Sequence, residues 1–281
     1  MIGLPEPYAT AIPPLLAMAF AEDLPDITGT AIFAPETEAK AVIVAKQDGV
    51  LAGLPAAAYA FQFLHPSCEV TLFHGDGDWV VAGSKLLEVR GPARSLLAAE
   101  RTALNFLMRL SGIATLTSQF VAHLAGTSCR LLDTRKTTPG LRLLEKHAVR
   151  CGGGYNHRLG LFDAAMIKDT HIAACGSLTA AVERVRAAWG DRFPLIVECA
   201  CLAQVEEALA CGVVHLLLDN MDLGTLKEAV KLAKGKAQLE ASGGITLANV
   251  RAVAETGVDF ISVGAITHSA PAFDCSMEVV G

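Results

Sequence analysis

CRLLDT (129–134), AAMIKD (164–169), PLIVEC (194–199), VVHLLLD (213–219), AQLEAS (237–242) and VDFISVG (258–264) are six short apolar runs, each closing on a polar residue or a glycine. Stretches with helical spacing follow them. Such alternation reads as strands of a parallel sheet joined by helical crossovers. The closing positions are Asp133, Lys168, Glu198, Asp219, Ser242 and Gly264. An α/β barrel displays its chemistry at these carboxyl ends. Six strands rather than eight predict an incomplete barrel.

Upstream, AKAVIVAKQDGVLAG (39–53), CEVTLFHGDGDWV (68–80) and SKLLEVRG (84–91) alternate β-rich runs with Gly and Asp turns, predicting an α+β layer. ARSLLAAERTALNFLMRL (93–110) and SGIATLTSQFVAHLAG (111–126) then repeat apolar residues at intervals of three and four, predicting a helical pair between two domains.

With 281 residues, 52% hydrophobic and 19% charged, the chain can bury a large core, and disorder is excluded. A net charge of −6 argues against nucleic acid and anionic lipid as partners. Eight cysteines without a C-x-x-C pair predict reduced thiols in a cytoplasmic protein. Cys199 and Cys201, two apart, are expected to be buried together on a strand. AIPPLLAMAFA (11–21) has the apolarity of an export signal, but no Lys or Arg precedes Lys40 and Pro13-Pro14 interrupts it. No apolar run is long enough to span a membrane.

Between Arg130 and Lys168 stand eight cations and three anions, a surplus of five within an acidic chain. A polyanionic substrate is the expected ligand, because arginine offers a planar fork to carboxylate or phosphate and lysine a compact ammonium. Arg142, Lys146 and Arg150, spaced at four, read as a solvated helix face. Arg135, Lys136, Arg158 and Lys168 lie at strand ends or in turns and are the candidates. In CGGGYNHRLG (151–160) three glycines precede His157 and Arg158, whereas His65, His74, His123, His147 and His215 read as structural. Glu198 and Asp219 end successive strands and could hold a magnesium ion bridging substrate phosphates. Ser242, Gly243 and Gly264, in late-strand turns, suit a phosphate cradle.

Together, ERTALNFLMRLSGIAT (100–115), DTRKTTPGLRLLEKHAVRCGGGYNHRLGLFDAAMIKD (133–169), LLLDNM (216–221), EASGGI (240–245) and GVDFISVGAITHSAPAFD (257–274) closely resemble the quinolinate phosphoribosyltransferases. The resemblance implies an N-terminal α/β sandwich domain over 1–111, with a tail from about 270 to 281 available to pack on it. It also implies an incomplete TIM-like α/β barrel over 112–269. The implied reaction joins quinolinate to 5-phosphoribosyl 1-diphosphate, with magnesium, to give nicotinate mononucleotide, carbon dioxide and diphosphate.

By the same resemblance Arg135, Lys136, His157, Arg158 and Lys168 bind the carboxylates and phosphates, with Lys136, Glu198 and Asp219 as the catalytic set. Glu198 and Asp219 would face the ribose and magnesium, while Ser242, Gly243 and Gly264 would cradle the 5-phosphate. A homodimer with shared sites is implied, Arg101 entering the neighbour's. Three departures stand out: Ala200 replaces a second acid, Thr170 an asparagine, and EDLPDIT (22–28) shortens a loop. The alternatives are a molybdenum-transport-associated paralogue acting on another acid, a non-catalytic anion-binding module, and Schiff-base chemistry at Lys136 or Lys168.

Overall fold

A computed structural model describes residues 3–280. The chain opens with α1 (Tyr8–Asp23), α2 (Ile27–Ile32), β1 (Glu38–Ala45), β2 (Gly49–Val50), α3 (Leu54–Leu64), β3 (Glu69–Leu72), β4 (Trp79–Val80), β5 (Lys85–Pro92) and α4 (Ala93–His123). It continues through β6 (Arg130–Leu132), α5 (Arg142–Cys151), β7 (Ala165–Ile167), α6 (Asp169–Cys175), α7 (Leu178–Trp189), β8 (Leu195–Cys199) and α8 (Leu202–Ala210). Last come β9 (His215–Asp219), α9 (Leu223–Ala233), β10 (Gln238–Ser242), α10 (Val250–Ala254), β11 (Phe260–Ser262), α11 (Ala265–His268) and β12 (Cys275–Val280). Two compact units form, one from residues up to 118, 137–153 and 266 onward, the other from 119–136 and 154–265.

The first unit is built on an antiparallel sheet ordered β12-β1-β5-β3. The tail returns as β12, pairing Cys275 with Ala45 and Val280 with Lys40 along β1. Helix α3 is short in polar side chains and buries Leu54, Ala56–Ala58, Ala60 and Phe61. Helix α1 carries Pro13 and Pro14 inside it and buries Tyr8, Ile12, Leu16 and Phe20 at a spacing of four, one face of a helix. In the shortened 22–28 loop Asp26 accepts from the Thr28 and Gly29 amides and caps α2.

One expectation is corrected here. The two helices expected over 93–126 are one helix, α4, of 31 residues. Ser111-Gly112 does not interrupt it, because both residues serve packing. The Ser111 hydroxyl donates to Ala52 O and accepts from Ala52 N, each at 3.0 Å. A Cβ on Gly112 would collide with the carbonyl oxygen of Pro271, so glycine is the residue that lets backbone pass there.

The second unit is a parallel sheet ordered β6-β11-β10-β9-β8-β7. Consecutive strands β6 and β7 stand at its two edges, so the barrel is incomplete. Tyr155 adds one bridge beside β6: its N–H donates to Leu131 O at 2.9 Å and its C=O accepts from Asp133 N at 3.0 Å. Leu216 and Leu218 of β9 and Val197 of β8 are fully buried, as a sheet covered on both faces requires. Ser177 and Asp222 start α7 and α9 with side-chain caps. The paired burial expected of Cys199 and Cys201 also fails: Cys199 is buried at the end of β8, while Cys201 is exposed and stands at the N-cap of α8. No helix of the described residues is long and apolar enough to cross a membrane.

Candidate active site

Strand register sets the site of the second unit. Glu198 pairs with Leu217, and Leu217 with Glu240. Paired residues of parallel strands share a face, and so do residues two apart. Glu198, Glu240 and Asp219 therefore lie on one face, with Asp219 one step nearer the carboxyl end, level with Ser242 and through it with Ser262.

The cations come from turns beyond those ends. Lys168 follows β7, and its Nζ lies 2.6 Å from Glu198 Oε2. Its backbone N–H donates to His171 Nδ1 at 3.0 Å. Arg135 and Lys136 follow β6, Lys136 exposed and its amide turned back on Thr134 Oγ1. Arg158 is half-buried and donates to Ala164 O at 2.9 Å. Burial and the charge of Arg135 push its guanidinium below the ordinary value, against the opposing pull of Asp163. Two arginines close enough to repel leave a positive focus that an anion would relieve.

The turn carrying Arg158 rests on two carboxylates, Asp133 and Asp163. Asp133, fully buried, accepts from Asn156 Nδ2 at 2.6 Å and from His157 N at 2.8 Å. Asp163 accepts from Leu159 N and Gly160 N, and these bonds with the nearby Arg158 charge outweigh its desolvation and hold it below the usual carboxylate range. The His157 side chain is 8% exposed, with Nε2 3.2 Å from Glu240 Oε2. Its Nδ1 accepts the Arg158 amide at 2.7 Å, so the ring proton sits on Nε2, facing Glu240. His157, expected from sequence to meet substrate, thus stands in the turn with Arg158 and faces Glu240.

Sequence reasoning missed Glu240. It is fully buried and meets His215 Nε2 at 3.0 Å as well as His157. Burial would raise its carboxyl, but side-chain hydrogen bonds, those from His157 and His215 first and that from Ser262 after them, win and hold it at about 2. The available signal was a charged residue inside the apolar run AQLEAS, two before Ser242.

Around the remaining strand ends, Asp219 Oδ2 accepts from Asn220 Nδ2 at 3.0 Å, and Asn220 N donates to Ser242 O at 2.8 Å. Among the described residues Asn220 is the non-glycine residue of positive φ, 54°, and its side-chain amide lies where a Cβ on Gly243 (φ 95°) would fall. Glycine there keeps the Asp219–Asn220 corner against the turn after β10. Gly264 lies two residues beyond β11. At the Ala200 departure the amide donates to Gln204 Oε1 at 2.7 Å, and at the Thr170 departure the amide donates to Asp169 Oδ1 at 2.7 Å. Arg101 is exposed on α4, in the first unit. Glu198 and Asp219 offer carboxylate oxygens, hard donors that fit magnesium.

Residues 26–111 match the family model "Quinolinate phosphoribosyl transferase, N-terminal domain", and residues 113–278 match its C-terminal counterpart. The chain is 45% identical over 267 residues to the "Probable nicotinate-nucleotide pyrophosphorylase (carboxylating)" of Bacillus subtilis, covering 94% of this chain and 92% of that one. It is 50% identical over 240 residues to the protein of the same description from Synechocystis, covering 84% and 81%. Among solved structures, NadC from Streptococcus pyogenes superposes with a TM-score of 0.93 at 41% identity, covering 100% of this chain and 99% of that one. The nicotinate-nucleotide pyrophosphorylase from Francisella tularensis gives 0.91 at 38% identity, covering 99% and 98%.

Proposed function

The chain belongs to the quinolinate phosphoribosyltransferase family, and from that premise we propose how its own residues carry the reaction. It is a pentosyltransferase that joins quinolinate to 5-phosphoribosyl 1-diphosphate in de novo NAD synthesis, releasing carbon dioxide and diphosphate and leaving nicotinate mononucleotide. One observation carries the assignment of roles: the strand ends bring together the Lys168–Glu198 pair at 2.6 Å and, by register, Asp219 and Ser242.

Arg135, Lys136 and Arg158 grip the two carboxylates of quinolinate, with His157 holding Arg158 at its post. Lys168 shares its charge between Glu198 and the incoming anion. Ser242, Gly243 and Gly264 cradle the 5-phosphate with backbone N–H groups. Glu198 and Asp219 face the ribose, where their negative charge stabilises the carbon that becomes positive as diphosphate departs. The same two carboxylates would hold magnesium, which when bound neutralises the leaving diphosphate.

The pyridine nitrogen attacks the ribosyl carbon and becomes positive. The neighbouring 2-carboxylate then leaves as carbon dioxide, its electron pair stays at the ring carbon beside that nitrogen, and a proton replaces it. The protein's part in this second step is orientation and exclusion of water. No side-chain nucleophile is needed.

The active form is a homodimer whose sites are shared, Arg101 reaching the neighbour's. Eight unpaired thiols support a reducing, cytoplasmic setting. The test is to incubate the protein with quinolinate, 5-phosphoribosyl 1-diphosphate and magnesium and follow nicotinate mononucleotide by chromatography, with nicotinic acid as control. Product from quinolinate alone is expected. A folded protein yielding none would transfer the assignment to a paralogue acting on another acid.

A further inference from the structure

Within the first unit, Asp76, His147 and Cys151 bring a carboxylate oxygen, an imidazole nitrogen and a thiol sulfur all within 4.8 Å of one another. His147 and Cys151 are one helical turn apart on α5, with Nε2 and Sγ 3.4 Å apart. Asp76 comes from the turn before β4, its Oδ2 3.0 Å from His147 Nε2. In a tetrahedral zinc site with ordinary bond lengths the nitrogen–sulfur edge is about 3.6 Å and the nitrogen–oxygen edge about 3.4 Å. The two edges that meet at His147, 3.4 and 3.0 Å, already stand within a few tenths of an ångström of that spacing.

We propose that Asp76, His147 and Cys151 form a binding site for a thiophilic divalent cation of the zinc type, separate from the magnesium carboxylates. A mixed N, O and S donor set selects zinc or cobalt over magnesium, which takes oxygen ligands. The surroundings suit the role. Asp76 is fixed through its second oxygen, Oδ1, which accepts from Leu54 N at 3.1 Å. The Tyr8 hydroxyl donates to Asp76 Oδ2 and accepts from Gly53 N at 3.0 Å, so it orients the carboxylate from behind. Three protein ligands leave the fourth tetrahedral position to water.

Without an ion the cluster is electrostatically poor in cations. Burial and the charge of Asp76 push the Cys151 thiol up to about 12. A bound cation reverses that effect, and the thiol gives its proton to solvent as sulfur coordinates. The ion would join the last turn of α5 to the turn at Asp76.

The test uses full-length protein stripped with chelator and titrated with cobalt(II) and then zinc(II). Expected are one cobalt per chain with a thiolate-to-cobalt absorption band, displacement by zinc, uptake indifferent to magnesium, and a rise in Tm with zinc. His147→Ala and Cys151→Ser should each lower the affinity about 100-fold and abolish the band, while Cys201→Ser, altering an exposed thiol elsewhere, leaves both unchanged. Absence of the band in the wild-type protein would overturn the site and leave a hydrogen-bonded cluster only. A band that survives in Cys151→Ser would place the metal on another cysteine and equally overturn it.

Discussion

Replacing Glu240 with Gln removes a charge that faces two imidazoles, at 3.2 and 3.0 Å, while keeping the side chain's shape. If His157 acts by holding Arg158, the variant should lose about 10- to 100-fold in kcat/KM, chiefly through a raised KM for quinolinate. An equal rise in KM for both substrates would mean general loosening instead. A second readout is acid stability. A carboxyl held down in the fold stabilises it above the ordinary carboxylate value and loses that contribution as pH falls from about 4.5 to about 2. Urea midpoints measured across that window should fall steeply for wild type and more gently for Glu240→Gln. For Arg158→Ala, loss of one charge-assisted contact of about 3 kcal/mol predicts a fall of roughly a hundredfold in kcat/KM. Wild-type kinetics would remove Arg158 from the site. Sequence could name Arg158 because it sits among glycines in a cationic run. It could not show that His157 faces inward, since both its partners, Glu240 and the Arg158 amide, are fixed by folding.

At the scale of elements, the strand ends were readable because a covered parallel strand is apolar until it emerges, and the polar residue marks the emergence. Lys168, Glu198, Asp219 and Ser242 all follow that rule. Helix α4 was misread because Ser111-Gly112 has the local character of a break, yet its partners, Ala52 and Pro271, lie 59 and more residues away in sequence. Gly112→Ala should therefore destabilise, although alanine is the better helix former. The clash is with backbone, which cannot swing aside, so a loss of about 2 kcal/mol is expected, seen as a drop of several degrees in Tm. An unchanged or raised Tm would show that the 271–272 segment yields freely. The Asp76, His147 and Cys151 cluster was likewise hidden: His147 and Cys151 are four apart on one helix, but Asp76 stands 71 residues away and no spacing rule links it to them.

For the molecule as a whole, the proposed dimer makes activity a property of the pair. Arg101→Ala and Lys136→Ala proteins, each inactive alone, should regain part of the wild-type rate when mixed and allowed to exchange subunits, because some hybrids carry one intact site. Hybrids shown to form without any recovered turnover would place Arg101 in its own chain's site.

The pairing of β12 with β1 ties residues 40–45 to residues made more than two hundred positions later. While the ribosome is still making the second unit, residues 38–45 have emerged with one hydrogen-bonding edge open, and the strand that covers it, residues 275–280, does not yet exist. An open edge of this kind invites pairing with other chains. The first sheet is thus complete only once residues 275–280 have been made, and until then the uncovered edge of β1 leaves a nascent chain open to aggregation.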